Sequence, residues 1–173
     1  YDLSLATMEV SYMKGLMDKP EEFTTLASFY MYKRNPAMSA KVLEKAITNE
    51  DIDFDKTNAK LLADSWLFAK ERLKSLNVIG RSLNNDPEDA KLIKQYINIA
   101  FSAFEWDEVI RGIKKANEAG LEDDGKFALM KGIAYFEKKS ITNAKNSFIE
   151  ASNSKEYKDQ GIAWLEYLEA LNG

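Results

Sequence analysis

The chain of 173 residues contains no cysteine and no histidine. That removes thiol and imidazole nucleophiles, histidine general bases, and structural zinc held by those ligands. Catalysis would have to rest on carboxylates, lysine, tyrosine or hydroxyls, so an all-helical enzyme ranks last among the readings, and neither cofactor nor metal is expected. The lack of cysteine suits the cytoplasm and suits equally a periplasmic protein that avoids disulfide scrambling. No apolar run approaches the roughly 20 residues that span a bilayer, and no basic, apolar, small-residue leader opens the chain. Basic side chains are also in the minority, 24 Lys and Arg against 28 Asp and Glu, for a net charge of -4. With no basic stripe to offset that balance, nucleic acid is not an expected partner.

Proline and glycine are scarce too, at three and eight residues. Between them apolar residues recur at steps of three and four, and no segment alternates as a strand does, so the chain is expected to be all-α. Helices are expected at 2–17, 21–34, 36–49, 56–70, 71–84, 87–103, 105–118, 124–138, 140–153 and 156–171. Pro20, Pro36 behind Asn35, and Pro87 behind Asp86 fit first helical positions, where the missing N–H costs nothing. Ser140 is expected to cap the helix that begins at Ile141. The short connections make neighbouring helices antiparallel.

The stretch KGIAYFEKKSITNAKNSFIEAS, residues 131–152, shows what the helices do with one another. Gly132 and Tyr135 share one helical face, and Ala144, Phe148 and Ala151 share another. Small residues let two antiparallel helices approach, and Tyr135 and Phe148 fill what remains. One hairpin cannot bury both its sides, so neighbours of the same kind are required. They are present. Ala27 with Tyr30, Ala63 with Trp66, and Ile97 with Ala100 align ahead of Gly132 with Tyr135, at steps of 36, 34 and 35. The second helices align through Ser39, Leu43, Ala46; Ser75, Ile79, Ser82; and Val109, Ile113, Ala116.

This period and residue pattern resemble the tetratricopeptide repeat (TPR). The resemblance implies a right-handed superhelical solenoid of helical hairpins with a C-terminal capping helix. The chain is then one domain, 1–173, with a partial repeat at 1–19, repeats at 20–55, 56–89, 90–124 and 125–158, and the cap at 159–173. Because residue 1 is Tyr and helix 2–17 looks like half a repeat, the chain is expected to be the C-terminal part of a longer protein. Repeat 90–124 departs from the pattern, with Ala100 at the usual Tyr position and Asn98 after Ile97 where a glycine belongs nearby. Close packing there is in doubt.

KVLEKAI at 41–47, NAKLLADSWLFAKE at 58–71, FEWDEVI at 104–110 and WLEYLE at 164–169 follow in an order similar to TPR proteins associated with TonB, ExbB and ExbD homologues of Gram-negative bacteria. That resemblance implies a periplasmic scaffold that assists TonB-dependent energy transduction for iron-complex uptake, with components of a TonB/ExbB/ExbD-like complex as possible partners. A cytoplasmic adaptor or chaperone is the alternative.

In stacked repeats the first helices line a concave wall. On that frame Met31, Leu67, Phe101 and Phe136 form an apolar row beside Ser28, Asp64, Asn98 and Ile133, then Thr24, Lys60, Lys94 and Leu129, with Lys91 and Lys126 at the edge. An apolar ridge beside Lys60, Lys91, Lys94 and Lys126 would hold an extended or helical peptide of some acidic character. The competing reading makes the aromatics inter-repeat core and the lysines a solvated face. Trp66, Trp106 and Trp164 are expected in the core. Asp51, Asp53 and Asp55 alternate as in a calcium loop, but Lys56 stands where that loop needs Gly and Leu62 where it needs Glu. Glu122, Asp123 and Asp124 precede a helix and are explained by its dipole.

Overall fold

The computed structural model describes residues 2–122 and 125–171. Among them are ten helices and no strand: α1 Asp2–Met13, α2 Pro20–Tyr32, α3 Pro36–Thr48, α4 Lys56–Phe68, α5 Arg72–Asn85, α6 Ala90–Ser102, α7 Trp106–Glu118, α8 Lys126–Glu137, α9 Ile141–Ser152 and α10 Lys158–Leu171.

One turn recurs throughout. After α2, the Arg34 N–H donates to the Met31 carbonyl (3.0 Å) and the Asn35 N–H to the Tyr30 carbonyl (2.8 Å), with Arg34 at φ 57°. This is the Schellman closure, in which a left-handed residue turns the chain so that orphan helical carbonyls find donors. The long-range bond of the same closure ends on Ala46 (from Asp51), Trp66 (from Glu71), Ala100 (from Glu105), Ala116 (from Leu121) and Tyr135 (from Ser140). These acceptors are the residues that the repeat alignment places in register, so the period of about 35 is also a period of chain reversals. Only one of these six turns has glycine at the left-handed position, Gly120; the others use Arg34, Glu50, Lys70, Phe104 and Lys139.

Helix starts follow local capping. Pro36 is the first residue of α3 behind Asn35, whose side chain accepts from the Met38 N–H, and Pro20 opens α2 while Glu22 accepts from the N–H groups of Asp18 and Lys19. Asp55 caps α4 by accepting from the Asn58 N–H (2.8 Å), which is how the DIDFD stretch is used. Three expectations are corrected. Pro87 does not open α6; it lies in the preceding turn, because Asp89 accepts from both Lys91 and Leu92 N–H groups and fixes the start three residues later. Ser140 stands at the cap of α9 but accepts from the Asn143 side chain instead of a backbone N–H. Helix α1 stops at Met13, since Gly15 (φ 65°) lets the Leu16 N–H reach the Ser11 carbonyl. At α8 the cap is left-handed Gly125, and of the acids expected ahead of that helix Asp123 and Asp124 lie outside the described residues.

The chain divides into two compact units between Ser82 and Leu83, within α5. In the first, α2 packs on α3 and α3 on α4 around Leu26, Ala27, Ala40, Val42 and Leu43, all fully buried. Each large aliphatic side chain so removed from water stabilises by about 1.5–3 kcal/mol. Small polar residues allow the approach with their own hydroxyls satisfied: buried Ser39 is 2.9 Å from Ser65, Ser65 donates to the Leu61 carbonyl (2.7 Å), and Ser75 donates to the Ala63 carbonyl (2.8 Å). Trp66 is buried, with the Lys74 ammonium 4.1 Å from its ring centroid.

In the second unit the close contacts rest on glycines. A methyl at Gly132 would overlap the Phe148 ring, and one at Gly161 would stand 2.5 Å from the Ser152 nitrogen. Phe148 is fully buried between Gly132 and Trp164, on which it stacks at 5.0 Å and 9°. The capping helix α10 thus packs on α9 through Trp164, Gly161 and buried Leu168. The departure at repeat 90–124 does not loosen it. Gly112 on the second helix takes the small-residue role, its added methyl falling 2.7 Å from Ile97, while Tyr96 and Ile97 supply the bulk. Buried Tyr96 donates its hydroxyl to Glu108, which is also paired with Arg111.

Candidate peptide-binding face

On α6 the residues Lys91, Lys94, Asn98 and Phe101 follow at steps of 3, 4 and 3, and on α8 so do Lys126, Leu129, Ile133 and Phe136, which gives each helix one row of side chains. The two rows face each other: the Lys126 ammonium donates to the Asn98 side-chain oxygen at 3.0 Å. Beside them a cavity of about 360 Å³ is lined by Lys94, Asn98 and Lys126 together with Glu122, Phe127, Glu156 and Tyr157. Sequence reasoning placed Lys94, Asn98 and Lys126 on this face, read Glu122 only as a helix-dipole residue, and missed Glu156 and Tyr157. Glu156 and Tyr157 arrive from the connection between α9 and α10, and no helical register announces where a loop residue lands.

The aromatic members behave differently from one another. Phe101 is half-buried and meets Trp106 edge to face at 5.7 Å, and Trp106 in turn meets Phe104, which is 71% exposed. Phe136 instead joins Trp164 (5.3 Å) and Tyr167 (5.8 Å) of α10, and Leu129 and Ile133 pack against the same C-terminal cluster. The α8 row is therefore largely engaged in holding the cap, and the open part of the face is the α6 row with Lys126. Lys91 is exposed beside it.

In the first unit, Met31 and Leu67 are half-buried, and the Ser65 hydroxyl lies 3.4 Å from the Met31 sulfur. Lys60 is exposed and pairs with Asp64 at 2.5 Å, one turn away on α4. Lys60 is thus partly neutralised by the neighbour that the sequence frame set in the adjoining row. A second cavity, about 350 Å³, is lined by Met31, Arg34, Pro36 and Phe68. The repeat-packing residues lie where their spacing demands: Ala27, Tyr30, Ala46, Ala63, Trp66, Gly132, Ala144, Phe148 and Ala151 are buried, and Tyr135 half-buried.

Tyrosine hydroxyls mark the charged margins of this packing. Burial and a hydrogen bond to Glu9 push Tyr30 up to about 12, and burial with the nearby Asp51 charge raises Tyr12. Among the described residues, no group of three carboxylates is placed to hold a metal ion.

No protein-family model and no curated protein matches the chain. Solved structures do. A crystal structure of MamA shares 17% identity over 92% of this chain and 91% of its own, with a TM-score of 0.58. A structure described as MamA MSR-1 C2 gives 16% identity over 98% and 87%, TM-score 0.60, and a further crystal structure of MamA protein gives 18% over 92% and 85%, TM-score 0.58. MamA is a TPR-like all-helical protein, and at this identity the likeness establishes the fold. The chain has a TPR-like all-α fold of stacked helical hairpins.

Proposed function

We propose that this chain is a protein–protein interaction scaffold that holds a peptide segment of acidic character along the α6 row and Lys126. The observation that carries the reading is the pairing of Lys94 and Lys126 at one open cavity, with Asn98 between them and half-buried Phe101 one turn further along α6. Lysines steer an acidic segment into register, the asparagine amide offers a donor to its backbone, and Phe101 takes an apolar side chain. Glu122 and Glu156 line the same cavity and disfavour a segment that is acidic throughout.

The sequence resemblance to TPR proteins encoded with TonB, ExbB and ExbD supports a finer reading, that of a periplasmic accessory to TonB-dependent energy transduction with a component of that complex as partner. The two levels are tested separately. Fluorescence anisotropy with labelled acidic peptides selected from a displayed library tests the face: Lys94→Glu with Lys126→Glu should weaken binding at least tenfold at low salt while the melting curve is unchanged. Equal binding by the variant would remove the face from the account. In-cell crosslinking under iron starvation tests the complex, and recovery of cytoplasmic partners alone would favour an adaptor there instead.

A further inference from the structure

The first unit presents exposed rings and cations at one of its ends. Helices α3 and α4 run antiparallel, since Ser39 early in α3 meets Ser65 late in α4, while Ser65 also reaches Met31 late in α2. The α2–α3 and α4–α5 turns therefore share one end, and Arg34 and Phe68 line a common cavity there. That end carries Tyr32 and Phe68, 71% and 69% exposed, and Leu73, 53% exposed. Interleaved with them are Lys33, Arg34, Lys70 and Arg72 against one acid, Glu71. Among the described residues the side chains of Arg34, Lys70 and Arg72 have no hydrogen-bond or ion-pair partner. Arg72 also opens α5, where a cation opposes the helix dipole, so helix stability does not account for it.

Towards the opposite end of the same unit, the connection 49–55 carries Glu50, Asp51, Asp53 and Asp55 and no base of its own. Its two apolar residues are not on offer: Ile52 is buried, and Phe54 lies under the Arg81 guanidinium at 4.0 Å. A second copy could match the charge of the basic end with this acidic connection, but the connection itself presents no apolar surface to Tyr32, Phe68 and Leu73, and the exposed apolar residues nearest it, Met13 and Leu16, are flanked by Lys14 and Lys19, which would meet the basic end with like charge. A bilayer with anionic headgroups supplies both parts, since rings of this kind settle at the headgroup level and lysine and arginine pair with the lipid phosphates.

We propose that the α2–α3 and α4–α5 turns form a peripheral docking surface for anionic membranes. No helix among the described residues is long and apolar enough to cross a bilayer, so attachment is superficial and reversible. The acidic connection, repelled by the same surface, sets the orientation of the unit.

Co-sedimentation of the whole chain with vesicles of equimolar phosphatidylcholine and phosphatidylglycerol, against phosphatidylcholine alone, tests this. The wild type is expected to bind the anionic vesicles and leave the zwitterionic ones largely empty. The Arg34→Gln, Lys70→Gln, Arg72→Gln variant should lose roughly fivefold in partitioning per cation, on the order of a hundredfold together. The Tyr32→Ser, Phe68→Ser variant should keep a weak attraction that high salt abolishes. Circular dichroism establishes that each variant retains the wild-type melting curve; both sets sit on exposed positions, so loss of binding in either folded variant supports the surface. No binding by the wild type, or equal binding by both variants, overturns the proposal. So does a wild type that self-associates in solution and becomes monomeric in the Tyr32, Phe68 variant, which would make the patch a contact between copies.

Discussion

Replacing Gly132 by Ala sets two known effects against each other. In a helix interior the change should stabilise by about 1 kcal/mol, because Ala has the better helix propensity. Here the new methyl would overlap the ring of Phe148, which is fully buried and held on its other side by Trp164. Overpacking of this kind costs about 1–3 kcal/mol. The ring cannot retreat without breaking its stack, so overpacking should win and Gly132→Ala should destabilise by about 1 kcal/mol. Phe148→Ala alone leaves a cavity and should cost about 3–5 kcal/mol. In the double variant the methyl at 132 enters emptied space and propensity acts unopposed, so the pair should be more stable than the sum of the singles by at least about 1 kcal/mol. Urea denaturation followed by far-UV circular dichroism measures all three, and fluorescence of Trp164, which touches Phe148, reports the second unit. Additivity within about 0.5 kcal/mol, the behaviour of independent sites, would refute the close approach of α8 and α9.

Other outcomes follow from the turns and the tyrosines. Lys139→Gly should raise stability by a few tenths of a kcal/mol, since relief of the left-handed φ of 58° outweighs the extra unfolded-state entropy, whereas Lys139→Val should lower it; thermal melts compare the two. Asp89→Ala removes the carboxylate oxygen that accepts two cap bonds at the start of α6 and should cost about 1–2 kcal/mol by denaturant titration, with Asp89→Asn close to neutral. Tyr30 is held protonated by burial and by Glu9, up to about 12 against an ordinary value of 10.0. Its contribution is full below pH 10 and is lost as pH rises from there towards 12, because the unfolded chain releases the proton first. Stability of the wild type should fall across that window, and Tyr30→Phe should flatten the fall; melts run beside tyrosinate absorbance check it.

The helices were legible because their apolar faces repeat at the helical period and the chain has few breakers. Register was legible as well, since Tyr30, Trp66, Ala100 and Tyr135 both pack and end their helices with the same carbonyl bond. Three features escaped for physical reasons. A consensus reading treats a repeat's small residue as fixed in place, whereas Gly112 does the work of a first-helix glycine from the opposite side of the interface. The start of α6 went to Pro87 because proline at a first position is a local signal, and Asp89 with two backbone bonds is a stronger one. The candidate face was overdrawn on α8: Phe136 reads as a groove residue until Trp164 and Tyr167 arrive from a helix thirty residues away.

The claim that bears most weight is that one face, the α6 row with Lys126, is left free by the packing and takes a partner. An ¹⁵N NMR titration with the tightest acidic peptide selected from a displayed library tests it directly. Amide shifts concentrated at Lys91, Lys94, Asn98, Phe101 and Lys126, and absent in the Lys94→Glu, Lys126→Glu variant, are the predicted result. Shifts concentrated instead on the exposed residues of α7 and α9, or persisting unchanged in the variant, would contradict it.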